Sequence, residues 1–279
     1  MTELRERMTR DLKLKGYSEQ TQQLYLLYVE LFAKHFGKSP DQLGDEEVKE
    51  FLYYMLSEKK ISSSYLNCIY SGIKFFYEVT LQKEWKLSNI RTKREKKLPM
   101  ALSQDEIEKI FNVVPNLKHK ALLMTIYGAG LRVSEAANLK VSDIDSSSMQ
   151  IHISSGKGKK ERYCLLSKSN LEILKEYYKV YKPTNWLFNG RYPDKPISKR
   201  SIQDIFYKAR KKAGIMKSVS VHSLRHSFAT HLLNDGVDIF HIQRLLGHSS
   251  LRTTSIYIHL KRKDLMNIVS PLDRLTGKE

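Results

Sequence analysis

Cysteine is nearly missing from this chain: Cys68 and Cys164 are the two in 279 residues. They lie far apart with no metal-ligand spacing, which excludes a disulfide framework and leaves two free thiols expected in a reducing compartment. Long apolar runs are missing too. The first twenty residues, MTELRERMTRDLKLKGYSEQ, are charged throughout, and no later stretch offers the run that a membrane span requires. A soluble, cytoplasmic protein with no membrane partner is expected. Acidic charge is in short supply, with 30 Asp plus Glu against 48 Lys plus Arg. No internal repeat or low-complexity tract is present. Neither an HExxH metal motif nor a phosphate-cradling GK[ST] frame occurs, so no metal and no cofactor are expected.

What remains is ordinary globular material: 41% hydrophobic and 10% aromatic residues, enough for about two domains with cores of their own. The excess of +18 is unevenly placed. Residues 1–100 carry a net +4 and residues 101–279 a net +14. Such a field suits a polyanion, and nucleic acid is the usual one because neutralising its phosphates releases condensed counterions.

Three helical patterns open the chain. Ser18 is a good cap for a helix that places Leu24, Leu27, Tyr28, Leu31 and Phe32 at helical spacing before Gly37. Residues 45–60 and 64–77 repeat the pattern, with Val48, Phe51, Leu52 and Met55, then Leu66, Ile69, Ile73 and Phe76, as expected core. An all-helical domain is therefore expected over 1–87. Residues 88–101, with Arg91, Lys93, Arg94, Lys96 and Lys97, read as a basic interdomain linker of the kind a clamp around a duplex needs. A second domain, 102–279, should open on a capping box of Ser103 and Glu106. A helix over 116–127 follows. Gly128 and Gly130 then allow a tight turn that fixes Arg132 at the start of the next helix, as suits a precise phosphate contact; the plainer alternative is a surface pair with Glu135 three residues on. Alternation at Met149, Ile151 and Ile153, and again at Tyr163 and Leu165, around Gly156-Lys157-Gly158 predicts a hairpin of a three-stranded sheet with Lys157 at its tip. Residues 171–181 and the strongly basic 198–213 read as helices. A last short amphipathic helix is expected before Ser270-Pro271.

Between His222 and His259 the chain concentrates six of its nine histidines. His222 and Arg225 stand three apart, so one helix face carries both. Leu224, Phe228 and Leu232 form another, apolar face, and Gly236 is suited to end the helix. Asp238 can cap a second helix, which Gly247 ends so that His248 emerges at a turn. Standing alone, these residues suit a packed histidine-rich bundle, a two-histidine metal site at His222 and His226, or a helix-turn-helix.

In chain order the text GAGLRVSE, GKGKKER, HSLRHSFATHLL, LLGHSS and TTSIYIH resembles the tyrosine recombinases, the phage-integrase and Xer-type family, over nearly the whole length. The resemblance implies a mainly α fold with a small antiparallel β-sheet: a helical core-binding domain followed by an α+β catalytic domain with a C-terminal tail. It nominates Arg132, Lys157, His222, Arg225, His248 and Tyr257 as catalytic. It implies a site-specific recombinase acting through a 3′-phosphotyrosine and a Holliday junction, without metal or ATP. Double-stranded DNA carrying a specific site, a homotetramer or paired heterotetramer on that DNA, and exchange of the tail after Leu260 between protomers are the partners it implies. The residue chemistry agrees: metal-free phosphodiester cleavage needs a nucleophile, a proton donor for the leaving oxygen and fixed positive charge. The competing readings are a non-catalytic helix-turn-helix DNA-binding protein and a type IB topoisomerase. The remaining histidines, His226, His231, His241 and His259, are expected to cap, pack or support.

Overall fold

A computed structural model describes residues 3–87, 100–154, 161–248 and 250–255, with only the backbone of Arg252. The chain divides into two compact units, residues 1–97 and 98–279. It is mainly helical with one small sheet, the fold class expected.

The first unit contains α1 (Glu3–Leu14), α2 (Glu19–Phe36), α3 (Asp45–Ser57) and α4 (Ser63–Phe75), with a π-helical turn over Phe76–Thr80. Ser18 and Ser62 each cap the helix that follows, their side chains accepting from the N–H groups of Thr21 and Tyr65. The expected core residues of α3 and α4 are all buried. One element is new and one expectation changes. The charged opening stretch forms a helix, because Met8 and Leu12, four apart, give α1 a narrow apolar stripe that is 1% and 0% exposed. In α2, Leu24 and Leu27 face outward at 38% and 43% exposure, while Tyr28, Val29 and Phe32 enter the core. That helix is apolar on more than one face, so its own pattern does not set its rotation. Gly72 of α4 favours this one. A methyl group there would sit 3.1 Å from the Tyr28 ring and 3.3 Å from the Tyr25 backbone, so glycine gives α2 room for a close approach with this face turned inward.

The second unit begins with α5 (Gln104–Asn112), on which Ser103 and Glu106 form the expected capping box. Then come α6 (Leu117–Gly128), α7 (Val133–Ala137), the strands β1 (Ile144–Asp145), β2 (Gln150–Ile153) and β3 (Arg162–Leu165), α8 (Lys168–Tyr181), α9 (Lys199–Lys212), α10 (His222–Asn234), α11 (Ile239–Leu246) and α12 (Leu251–Thr254). The strands pair antiparallel in the order β1-β2-β3, with Ile151 opposite Cys164 and Ile153 opposite Arg162. Ile151 and Ile153 are buried as their alternation suggests, but Tyr163 and Leu165 point outward at 61% and 44% exposure. The inward face of β3 carries Cys164 and the largely covered Arg162. Leu224, at the start of α10, belongs to the main core of this unit, whereas Phe228, Ala229, Ile242 and Leu246 pack α10 against α11 in a smaller one.

The basic linker up to residue 99, the Lys157 hairpin tip, Tyr257 and the C-terminal tail lie outside the described residues. Among the described residues no helix is long and apolar enough to cross a membrane.

Candidate active site

The α6–α7 turn is built around Gly130. Its φ of +60° favours glycine, and an added Cβ would lie 2.4 Å from the Phe228 ring, so no side chain fits. This brings the Gly130 carbonyl against α10, where it accepts from Arg225 Nη1 at 2.6 Å. The second arm of Arg225 donates to the Leu246 carbonyl at 2.7 Å. A guanidinium that is only 2% exposed is thereby held by the ends of two helices.

Arg132 directly precedes α7, as the two glycines suggested. Its backbone N–H donates to Glu135 Oε2 and its Nη1 to Glu135 Oε1, both at 2.7 Å. The pair with Glu135 forms, but it is not the surface pair of the plainer alternative: Glu135 is 3% exposed. It also receives both arms of Arg162 at 2.8 and 2.7 Å and lies 3.8 Å from Arg225 Nη1. Burial alone would raise the Glu135 carboxyl, but the hydrogen bonds and charges of Arg162 and Arg132 win and hold it down to about 2. One carboxylate thus orders three guanidiniums, and these four side chains together still carry two positive charges. That surplus suits a phosphodiester, whose negative charge grows in the transition state.

His248 follows Gly247, whose left-handed backbone turns the chain out of α11. The ring is placed with Nε2 3.1 Å from Arg225 Nη2 and Nδ1 2.9 Å from Thr254 Oγ1. Gln243 donates to the His248 carbonyl at 3.1 Å, and Arg132 Nη2 reaches the Gly247 carbonyl at 3.4 Å. Partial burial and the charges of Arg225, Arg132 and Arg162 push His248 down to about 4. His222, on the first turn of α10, opens to solvent on one side. Surrounding protein mass comes first, then Arg225 and Arg132, in holding it below the ordinary histidine value, so it is neutral at neutral pH. His226 stands against it, ring centroids 5.3 Å apart and planes nearly perpendicular. Among the described residues no group of three or more His, Cys, Asp and Glu is placed to hold a metal ion. His231 packs elsewhere, its Nδ1 2.8 Å from the Tyr127 hydroxyl.

Of the six nominated residues, the structure brings together Arg132, Arg225 and His248, with His222 on the same helix as Arg225. Lys157 and Tyr257 lie outside the described residues. Sequence reasoning missed the depth of Glu135 and the inward turn of Arg162. The arginine spacing to Glu135 was visible; its burial was not, because it depends on β3 facing opposite to its apolar alternation.

The phage integrase family pattern matches residues 100–264, more than half the chain, and the N-terminal SAM-like domain of phage integrases matches residues 4–87. The chain belongs to the phage integrase family. It is a tyrosine recombinase, an enzyme of site-specific recombination. Over 277 residues this recombinase is 42% identical to the y4qK protein of Sinorhizobium fredii, covering 99% of this chain and 90% of that one. Against tyrosine recombinase XerA of Pyrococcus horikoshii it is 36% identical over 265 residues, covering 92% and 89%. The crystal structure of a XerH site-specific recombinase bound to difH substrate before cleavage superposes with a TM-score of 0.72 at 25% identity, covering 88% of this chain and 77% of that one.

Proposed function

We propose that this recombinase cleaves double-stranded DNA at a specific site with Tyr257 as nucleophile and rejoins it to a second duplex. The observation that carries the reading is the convergence of Arg132, Arg225 and His248 around the buried Glu135. Arginine forks bind two non-bridging oxygens at once and stay charged, which suits both as clamps on the scissile phosphate. Tyrosine has an ordinary pKa of about 10 and needs a base at neutral pH. His222 is that base: it is held neutral and stands one helical turn from Arg225. The Tyr257 hydroxyl oxygen attacks phosphorus as its proton passes to His222, the bond to the 5′-oxygen breaks, and Lys157 supplies that oxygen's proton. His248 hydrogen-bonds the phosphate.

The resulting 3′-phosphotyrosine keeps the energy of the broken ester. A 5′-hydroxyl from the partner duplex therefore reseals the strand without ATP, and two rounds pass through a Holliday junction. Four protomers on two duplexes are needed, with the tail after Leu260 exchanged between neighbours. The helical domain, 1–87, and the basic linker, 88–101, would complete the grip on DNA, in keeping with the XerH relative bound to its difH substrate. A duplex nicked beside the scissile phosphate tests the reading. Cleavage then releases the short strand and should trap the chain covalently on DNA. Arg225→Ala should retain DNA binding while cleaving about a hundred- to thousandfold more slowly, the cost of one lost transition-state donor. Absence of any trapped adduct on a bound, verified site would overturn the catalytic reading.

A further inference from the structure

The turn after α11 leaves His248 between a group that only donates and a group that donates or accepts. Arg225 Nη2 stands 3.1 Å from Nε2, and a guanidinium has N–H donors and no acceptor. Nε2 must therefore present its lone pair, which makes the ring neutral and places its one N–H on Nδ1. That proton points to Thr254 Oγ1, 2.9 Å away. The depressed pKa of His248, about 4, agrees with a neutral ring amid Arg225, Arg132, Arg162 and His226. In this state the ring has no N–H on its Nε2 side. A phosphoryl oxygen offers only lone pairs, so a ring in this tautomer cannot bond it from Nε2.

We propose that Thr254 is a positioning residue that lets His248 move its proton from Nδ1 to Nε2 when a phosphodiester enters the site. This rests on the reading of His248 as a phosphate ligand. Once phosphoryl oxygens take the N–H of Arg225, Nε2 loses its donor and gains a strong acceptor in front of it. Water entering with the phosphate gives a proton to Nε2, and the Nδ1 proton passes to water as the bond to Thr254 opens, so the ring is neutral before and after. The exposed Nδ1 lone pair then needs a donor. A hydroxyl serves in both directions: Thr254 accepts from Nδ1 before the exchange and donates to it afterwards by rotating one bond. Thr254 is 0% exposed, so its hydroxyl, rather than bulk solvent, meets this demand. It also lies on α12, three residues before Tyr257, and its bond ties the ring to the segment leading to the nucleophile.

The full-length chain with ¹⁵N-labelled histidine reports the tautomer directly, and inorganic phosphate serves as the probe. Wild type should show His248 protonated on Nδ1 when free and on Nε2 at saturating phosphate. Thr254→Val should abolish the exchange and slow cleavage of the nicked duplex about ten- to hundredfold, the range usual for a group that orients a site histidine. Thr254→Ser should restore both. A wild-type ring that keeps one tautomer with and without phosphate overturns the proposal, as does Thr254→Val exchanging like wild type. If the valine variant does not fold, Thr254→Ala, which also lacks the hydroxyl, takes its place with the same two outcomes. Loss of the Tyr257 adduct reading would leave these phosphate spectra interpretable, so the two failures are distinguishable.

Discussion

Glu135 is the residue on which the arginines depend. Removing the charge from a buried carboxylate that meets Arg132, Arg162 and Arg225 leaves buried guanidinium charge uncompensated. Glu135→Gln should therefore cost about 3–5 kcal/mol in urea unfolding, far more than a surface pair would. Its depressed pKa also fixes a pH window. A carboxylate lowered from 4.5 to about 2 on folding contributes stability that is complete above its unfolded value and disappears as pH falls through the folded one. Acid unfolding should lose roughly 3 kcal/mol between about pH 5 and pH 2 in wild type, and Glu135→Gln should lack that component. His222 sets a different limb. The surrounding protein, then Arg225 and Arg132, hold it below the usual histidine value near 6.5, so protonation is displaced to lower pH. The kcat/KM for cleavage should decline on the acid side at a pH below about 6.5. A decline centred well above that would remove His222 from the role of base.

At the scale of elements, two glycine turns of the second unit separate space from backbone preference. Gly130→Ala forces a left-handed alanine whose Cβ meets Phe228 and Leu246, whereas Gly236, at φ +84°, has open space around it. Gly236→Ala should cost about 1–2 kcal/mol for the backbone alone, and Gly130→Ala clearly more, with loss of cleavage because the Gly130 carbonyl that holds Arg225 must shift. Denaturant unfolding of both variants checks the order. The same elements show what the sequence made legible. His222 and Arg225 shared a face because helix geometry is local, and Asp238 and Gly247 marked the ends of α11 for the same reason. The face of β3 was not legible: a four-residue strand reads equally well either way, and the Arg162–Glu135 bonds decide it. α1 and the rotation of α2 were hidden likewise, one behind a two-residue stripe and the other behind the space at Gly72 on a neighbouring helix.

For the whole molecule, the charge of +18, concentrated after residue 100, predicts binding dominated by phosphate contacts. Affinity for duplex DNA should fall about 10³- to 10⁵-fold between roughly 50 and 200 mM salt if about six to ten phosphates are neutralised. A flat salt response would argue against a DNA-gripping surface. Deleting residues 263–279 tests the tail: pairing of two duplexes should fail while binding to one survives, and unchanged pairing would reject tail exchange. The central claim is chemical, and mapping the trapped adduct tests it most directly. After cleavage of the nicked duplex and proteolysis, mass spectrometry should place the nucleotide on Tyr257 among the 16 tyrosines, and Tyr257→Phe should bind DNA without forming any adduct. Attachment to another residue, or an adduct that persists in Tyr257→Phe, would contradict the account.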